Sequence, residues 1–224
     1  MIGEWSLRRR NCNMLQIVPL ILGPLETNTY LIADPETREA AVIDPAWDGK
    51  LITAEARQRH WQISQIWITH AHFDHIGGVG DLAHALDKPL LIALHSYDRP
   101  LWDSRGNPAH FGFRPPASPA PALDLAETKD LLLGQMVFEA RHTPGHTRGH
   151  CIFYCAQAGV CFCGDLIFKN SVGRTDLPGG DWETLVTSIR SKVFSLPDET
   201  RLLSGHGPET TVVQEKRANP FVRA

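Results

Sequence analysis

Three histidines and an aspartate fall within six residues in the first half of the chain. The motif H-A-H-F-D-H occupies residues 70–75 and is separated by Thr69 alone from the apolar run at 66–68. A strand that ends there can present the first two imidazoles from one side, while the aspartate and the last histidine turn toward a second point nearby. Desolvated and mutually repelling groups would be costly in one pocket unless a cation coordinated them. The spacing therefore predicts that one segment serves two neighbouring metal ions.

Three more side chains of metal-binding type follow later apolar runs, each next to a glycine. His146 lies at the sharp turn that Pro144 and Gly145 predict, and Asp165 and His206 lie shortly beyond two short apolar runs. A backbone that leaves a sheet beside glycine can approach an ion closely, so these positions suit metal ligands. We expect four strand ends to converge on one site.

The motifs around these residues extend over most of the chain. They are H-x-H-x-D-H at 70–75, T-P-G-H-T at 143–147, G-D at 164–165, F-K-N-S-V-G-R-T-D at 168–176 and G-H-G-P at 205–208, with G-P-L-E-T-N-T-Y at 23–30 and N-P-F at 219–221. Together they resemble the metallo-β-lactamase-fold hydrolases, and within that fold the short, single-domain enzymes similar to glyoxalase II (hydroxyacylglutathione hydrolase). The resemblance implies an α+β fold, a four-layer αββα sandwich in which helices cover two facing mixed sheets and the metals lie at one edge.

The resemblance also implies how the metal ligands divide. One ion would be held by His70, His72 and His146, the other by Asp74, His75 and His206, with Asp165 as the bridge. Two dications that share a water lower its pKa and can polarise a carbonyl, so the predicted reaction is hydrolysis. Asp74 and Asp165 are the predicted catalytic residues. Nitrogen and oxygen ligands suit zinc, iron or manganese, and two zinc ions are the prediction.

A thioester similar to S-lactoylglutathione is the substrate that the resemblance implies. Its thiolate leaves with a pKa near ~8.5 and needs little help from a general acid. Arg174 matches the position at which the family places a cation toward the glutathione moiety. Asn28 and Tyr30 are predicted either to line the mouth of the site or to pack beneath it. Gly207-Pro208 replaces the tyrosine-bearing segment of the longer glyoxalase II enzymes, so metal binding is indicated more strongly than glutathione recognition.

A persulfide dioxygenase of the same fold is the alternative function. Such an enzyme uses a single iron and shares a G-R-T-D segment like that at 173–176. Two histidines and one carboxylate of the same set could hold that iron. The G-H-G-P motif at 205–208 favours the hydrolase branch.

Composition indicates one ordinary globular domain that acts on a small molecule. The chain has 224 residues, of which 42% are hydrophobic and 21% charged, which suffices for a sizeable core. A net charge of −3 and a pI near 6.4 give no footprint for nucleic acid or an anionic membrane. No apolar stretch approaches the ~18 residues of a membrane span. The five cysteines are interpreted as reduced thiols, which favours a cytoplasmic location, and the oligomeric state is left open.

Alternating strand and helix patterns predict the elements that position the motifs. Strands are predicted at 15–18, 29–33, 41–43, 66–69, 90–93 and 136–140, and helices at 50–60, 76–86, 182–193 and 209–217. Residues 1–13 are predicted to be a disordered extension that precedes a domain at 14–224. The proline-rich segment at about 103–126 is predicted to be a loop beside the mouth of the site, in the role of a lid or binding loop.

Overall fold

Two six-stranded sheets face each other and carry helices on their outer surfaces. The computed structural model describes residues 15–86, 88–106 and 117–223. Within these residues there are also two short strands that form a separate hairpin. The predicted α+β fold, a four-layer αββα sandwich, is confirmed by this sheet order and by the apolar layers between the elements.

The first sheet is built from the N-terminal half of the chain. In spatial order its strands are β1 (Gln16–Leu22), β2 (Thr27–Ala33), β3 (Glu39–Ile43), β4 (Gln62–Trp67), β5 (Leu91–Leu94) and β6 (Leu123–Asp124). β1, β2 and β3 pair antiparallel, whereas β3, β4, β5 and β6 pair parallel. Parallel strands end at the same edge of a sheet, so the residues that follow β3, β4 and β5 meet there.

The second sheet is built from the C-terminal half. In spatial order its strands are β14 (Thr210–Thr211), β13 (Arg201–Ser204), β10 (Val160–Gly164), β9 (Cys151–Cys155), β8 (Met136–His142) and β7 (Asp130–Leu133), and the hairpin β11 (Ile167–Phe168) and β12 (Ser171–Val172) follows β10 in the chain. β10 and β13 are parallel neighbours, and Gly164 pairs with Ser204 at their ends. This register brings the residues after both strands to one place.

Short helices connect and cover the sheets. They are α1 (Gly49–Gln58), α2 (Phe73–Ile76), α3 (Val79–Leu86), α4 (Arg99–Asp103), α5 (Trp182–Ser188) and α6 (Val212–Ala218). Side chains satisfy the free amides where the longer helices begin, because the Asp48 carboxylate accepts from Leu51 N at 3.1 Å and the Asp181 carboxylate from Thr184 N at 2.8 Å. A π-helical turn at Ile189–Val193 continues α5.

Apolar side chains fill the spaces between the layers. In the central layer the ring centroid of Trp67 lies 4.8 Å from that of Phe138 and 5.7 Å from that of Phe153, and all three side chains are fully buried. A second apolar layer packs α1 and α3 on the first sheet, and a third packs α5 and α6 on the second sheet. Burial of such aromatic side chains fixes the two sheets against each other and so positions the strand ends that carry the motifs.

Several predicted element boundaries are wrong, and local structure explains three of them. β1 continues past the predicted end at 18 because it is an edge strand, where Pro19 costs no ladder hydrogen bond. The single helix predicted at 76–86 is two helices, since Gly77 and Gly78 pack so tightly on the backbone of 45–47 that a Cβ would collide with it. The helix predicted from 209 begins only at Val212, after β14.

The proline-rich segment contains more regular structure than predicted. Asp103 ends α4, and β6 at Leu123–Asp124 pairs with β5. Residues 107–116 and the predicted N-terminal extension at 1–13 lie outside the described residues. Cys151, Cys155, Cys161 and Cys163 are free, buried thiols of β9 and β10. None of the helices in the described ranges is long and apolar enough to cross a membrane.

Candidate metal centre

The motif at 70–75 forms the turn between β4 and α2. β4 ends at Trp67 and α2 begins at Phe73, so the turn between them carries His70 and His72. α2 then presents Asp74 and His75 from its single turn. All four side chains are buried at the carboxyl edge of the first sheet, where the sequence predicts them.

Three imidazoles from both halves of the chain converge on one point. His146 Nε2 lies 3.0 Å from His72 Nδ1 and 3.1 Å from His70 Nε2. Nitrogens that share a tetrahedral zinc at about 2.1 Å are separated by roughly 3.4 Å, so this spacing is close to that of a metal site. We call His70, His72 and His146 the three-imidazole group.

A second set of three side chains combines a carboxylate with two imidazoles. Asp74 Oδ2 lies 3.5 Å from His75 Nε2 and 3.2 Å from His206 Nε2. These ligand-type atoms all lie within 4.8 Å of one another, as do those of the three-imidazole group. We call Asp74, His75 and His206 the mixed group.

The Asp165 carboxylate lies between the two groups. Its Oδ1 is 3.4 Å from His75 Nε2, and its Oδ2 is 3.5 Å from His206 Nε2 and 3.7 Å from His146 Nε2. One carboxylate therefore faces side chains of both groups. The structure thus brings all seven predicted ligands together, with Asp165 in the position predicted for a bridge.

Hydrogen bonds to carbonyl and carboxylate oxygens fix which imidazole nitrogens face the centre. His146 Nδ1 donates to the Arg174 carbonyl at 2.8 Å, and His206 Nδ1 donates to the Leu25 carbonyl at 3.1 Å. An oxygen acceptor requires a protonated Nδ1, so Nε2 is the nitrogen that each of these rings turns toward the centre. Outer hydrogen bonds of this kind orient metal-binding histidines in proteins.

Asp44 is a supporting residue that the sequence analysis missed. Its Oδ2 accepts from His75 Nδ1 at 2.9 Å and from the Thr69 hydroxyl at 2.6 Å. The Thr69 oxygen is then free to accept from His70 Nδ1, 3.1 Å away. Asp44 therefore orients one imidazole in each group. Its signal in the sequence was its place directly after the apolar residues of β3, at the same sheet edge as the ligands.

Asp98 is a second missed residue, and it joins two loops. Its Oδ2 accepts from Ala71 N at 3.1 Å and from the Thr147 hydroxyl at 2.8 Å, while its Oδ1 accepts from Gly149 N at 2.7 Å. These bonds hold the turn at 70–72 against the turn at 146–150. No motif marks Asp98, because its role arises only when the two sheets face each other.

Burial and mutual repulsion keep two members of the three-imidazole group, His70 and His72, neutral. Burial, and then the neighbouring imidazoles, hold the pKa of His70 well below its usual range. Burial and the ring of His146 lower the pKa of His72 to about 3. Their lone pairs are therefore free for a cation rather than occupied by protons.

The mixed group has the opposite electrostatics. Burial alone would lower the pKa of His75, but the carboxylates of Asp165, Asp74 and Asp44 raise it well above its usual value. Burial also lowers the pKa of His206, but hydrogen bonds to the carboxylates of Asp165 and Asp74 outweigh this effect and raise the pKa to about 9. The carboxylates therefore make the mixed group a place where positive charge is strongly stabilised.

The donor set fits two transition-metal ions. His75 Nε2 and Asp165 Oδ1 are buried and have no hydrogen-bond partner, an arrangement that is costly unless a cation coordinates them. Gly205 leaves them the space, because a Cβ there would overlap Asp165 Oδ1 and crowd the His75 ring. Imidazole and carboxylate without thiolate suit zinc, iron or manganese.

A cavity of about 660 Å³ opens directly onto both groups. Five predicted ligands reach its wall: His72, Asp74, His146, Asp165 and His206. Most of the remaining wall is apolar and comes from Leu25, Phe73, Leu101, Phe168, Val172, Leu177 and Pro178. Gly106, the last residue described before the gap at 107–116, also lies on it.

The three predicted substrate-binding residues lie in different places. Arg174 lines the cavity, and its exposed guanidinium is paired with the Asp176 carboxylate at 2.6 and 2.7 Å. Asn28 and Tyr30 do not belong to the described wall of this cavity. Asn28 Nδ2 donates to the carbonyls of Ser204 and Gly207 at 2.9 and 2.8 Å, and the Tyr30 hydroxyl donates to that of Ser204 at 2.7 Å. Both pack beneath the turn that carries His206.

Comparisons of the sequence identify the family. The metallo-beta-lactamase superfamily model matches residues 22–206. Hydroxyacylglutathione hydrolase GloC of Haemophilus influenzae is 34% identical over 219 residues, which cover 94% of this chain and 98% of that protein. The probable metallo-hydrolase YqgX of Bacillus subtilis is 36% identical over 204 residues, which cover 90% and 94%. The chain belongs to the metallo-beta-lactamase superfamily and is similar to metal-dependent hydrolases within it.

Two solved structures have closely similar folds. The structure of TTHA1623 in a di-iron-bound form is 40% identical, with a TM-score of 0.83 over 92% of this chain and 100% of that chain. ETHE1 from Myxococcus xanthus is 26% identical, with a TM-score of 0.76 over 92% of this chain and 84% of that chain. A single domain of this fold therefore accounts for nearly all of the sequence.

Proposed function

We propose that the protein is a hydrolase that binds two metal ions and cleaves thioesters. The observation that carries the proposal is the position of Asp165, whose carboxylate faces both the three-imidazole group and the mixed group. A mononuclear site needs three or four ligands, whereas seven converge here. All seven ligands are used only when one ion lies in the three-imidazole group and another in the mixed group.

The chain's own residues suit the hydrolysis of an acyl compound. When bound, two dications lower the pKa of a water that they share and polarise a carbonyl oxygen. Asp74 and Asp165 line the cavity and are the proposed catalytic residues, because their carboxylates would hold the ions at the position where water and substrate meet. A thiolate needs little protonation as it leaves, so no further acid is required.

A glutathione thioester is the proposed substrate type. GloC, the relative from Haemophilus influenzae, is named as a hydroxyacylglutathione hydrolase, and its match spans nearly both chains. Arg174 stands at the cavity wall as a cation for a carboxylate of the thiol carrier. S-lactoylglutathione is therefore the first substrate to test.

Zinc is the proposed metal, with iron and manganese as alternatives. The nitrogen and oxygen donors accept all three, and the similar TTHA1623 structure holds two irons. Four free, buried thiols fit a reducing compartment, and we propose the cytoplasm as the location.

Elemental analysis and two assays on the same preparation test this function. We expect two metal ions per chain and release of glutathione from S-lactoylglutathione. A preparation with one iron per chain that consumes oxygen on glutathione persulfide, and does not cleave the thioester, would establish the dioxygenase instead. The segment Gly173–Asp176 beside the cavity and the likeness to ETHE1 are the observations that keep this second function in the test.

A further inference from the structure

The wall of the cavity beside the metal centre contains many apolar side chains and few charged ones. Apart from the predicted metal ligands, Arg174 is the one charged side chain among its described wall residues. Its guanidinium is paired with the exposed Asp176 carboxylate, so an anionic arm of a substrate would compete with that carboxylate for the same cation. A thioester has an acyl arm and a thiol arm. If both arms were charged, only one of them could pair with Arg174, and the other would face apolar side chains.

Three wall residues contact the two ligand groups differently. Arg174 accepts through its carbonyl from His146, a member of the three-imidazole group. Leu25 accepts through its carbonyl from His206, and the Phe168 ring centroid lies 6.2 Å from that of the same imidazole. The backbone of Arg174 therefore adjoins the three-imidazole group, whereas Leu25 and Phe168, which we call the apolar end of the wall, adjoin His206 of the mixed group.

We propose that the substrate is a thioester with an apolar acyl arm longer than lactoyl, packed against Leu25 and Phe168, and a charged thiol arm directed toward Arg174. The inference rests on the proposed thioester hydrolysis and specifies its substrate class. Water adds to the acyl carbon, the carbon–sulfur bond breaks, and the products are a carboxylate and a thiol, so neither an oxidant nor a reductant is needed. The carbonyl lies at Asp165, between the two ends.

An acyl series at constant thiol isolates the apolar end. Acetyl, butanoyl, hexanoyl and lactoyl thioesters of glutathione differ only in the arm that would contact Leu25 and Phe168. Each methylene that becomes buried tightens binding by about fourfold. We expect kcat/KM of the two-metal enzyme to rise at least tenfold from acetyl to hexanoyl, with lactoyl near acetyl.

Two variants and one control connect the series to this wall. Leu25→Ala and Phe168→Ala are expected to flatten the rise, because each removes apolar surface at the same end. Leu25 is 41% exposed, so its truncation leaves the core intact even if Phe168→Ala reduces folding. Leu132→Ala is the matched control, since this side chain is 62% exposed on β7 and lies outside the wall. The control should keep the full rise.

Binding without turnover separates this inference from the function on which it rests. S-methylglutathione and S-hexylglutathione cannot be hydrolysed, and calorimetric titration gives their Kd values. We expect the hexyl compound to bind at least tenfold more tightly, and Leu25→Ala to remove most of the difference. A metal-loaded protein that cleaves no thioester but binds the hexyl compound more tightly would overturn the hydrolase function, while the inference that the apolar end binds an apolar arm would stand.

The opposite pattern overturns the inference alone. A protein that cleaves S-lactoylglutathione best, with a flat or falling response to acyl length and equal Kd values for the two thioethers, is a thioester hydrolase without an apolar acyl site. A rise that survives in both Leu25→Ala and Phe168→Ala would also contradict it, because the selectivity would then come from another surface.

Discussion

The two ligand groups meet at Asp165 but achieve cation binding by different physical means. In the three-imidazole group, burial and neighbouring rings depress the pKa values of His70 and His72, so these two imidazoles offer lone pairs without charge. In the mixed group, carboxylates raise the pKa values of His75 and His206, so the group offers negative charge. The first group depends on exact orientation, and the second depends on charge balance.

Removing the shared carboxylate should have the largest effect. Asp165→Asn keeps the shape but removes a negative charge that faces both groups, so both metal affinities should fall and a shared water should become a poorer nucleophile. We expect thioester turnover to fall by several orders of magnitude while the circular dichroism spectrum and melting transition remain cooperative. Near-normal turnover with two metals bound would disprove the bridging role.

Asp44→Asn should weaken both groups through their orientation. An amide that presents its NH₂ to His75 Nδ1 would shift the proton of that ring to Nε2, which then cannot ligate. The Thr69 hydroxyl would lose its charged acceptor in the same step. We expect a loss of about 10–100-fold in both metal affinities.

A chelator competition that resolves two affinities measures this loss. Asp103→Asn is the control, since this exposed carboxylate on α4 forms an ion pair with Arg99, away from both ligand groups, and surface pairs contribute little. If Asp44→Asn changed only one of the two affinities, the argument that Asp44 supports both groups would be wrong.

Asp98→Asn should affect the three-imidazole group alone. This carboxylate holds Ala71 and Thr147, which flank members of that group, and Gly149 in the same turn as His146. An amide retains one accepting oxygen, so the expected loss is smaller, about tenfold in one affinity. The same chelator competition checks it, and an equal loss in both affinities would show that the groups are not separable.

The smallest effects should come from the ion pair at the cavity mouth. Arg174→Ala should raise KM for a glutathione thioester a few-fold with little change in kcat, because the contact is expected to be equally strong in the ground and transition states. Asp176→Asn should lower KM, since it frees the guanidinium. Steady-state kinetics on S-lactoylglutathione measure both. If neither variant changed KM, Arg174 would not contact the thiol carrier.

How much the sequence revealed depended on whether residues that meet in space are also close in the chain. His70 to His75 form one short motif after a strand, and the later ligands follow strands beside glycines, so their convergence could be predicted. Asp98 has no such neighbour in sequence, because its bonds join segments that only the finished sandwich brings together. Its role could not be inferred from spacing.

The residues of the cavity wall could not be predicted from the sequence for a related reason. Leu25 and Phe168 come from opposite halves of the chain, and leucine and phenylalanine are common in any hydrophobic core, so neither residue stands out. Asn28 and Tyr30 show the converse, since the sequence left open whether they line the mouth of the site or pack beneath it, whereas their hydrogen bonds go to the backbone of Ser204 and Gly207. Polar residues can serve either a ligand or a buried carbonyl, and only the fold distinguishes the two.

The origin of the ligands gives the centre a mechanical role. His70 to His75 come from the first sheet, whereas His146, Asp165 and His206 come from the second. Metal ions bound here would clamp two halves of the chain that otherwise adhere through apolar contacts. Separation of the sheets would then require release of the ions, so the lifetime of the folded protein becomes a function of free metal concentration. Chelation should therefore shorten that lifetime even where it leaves every strand intact.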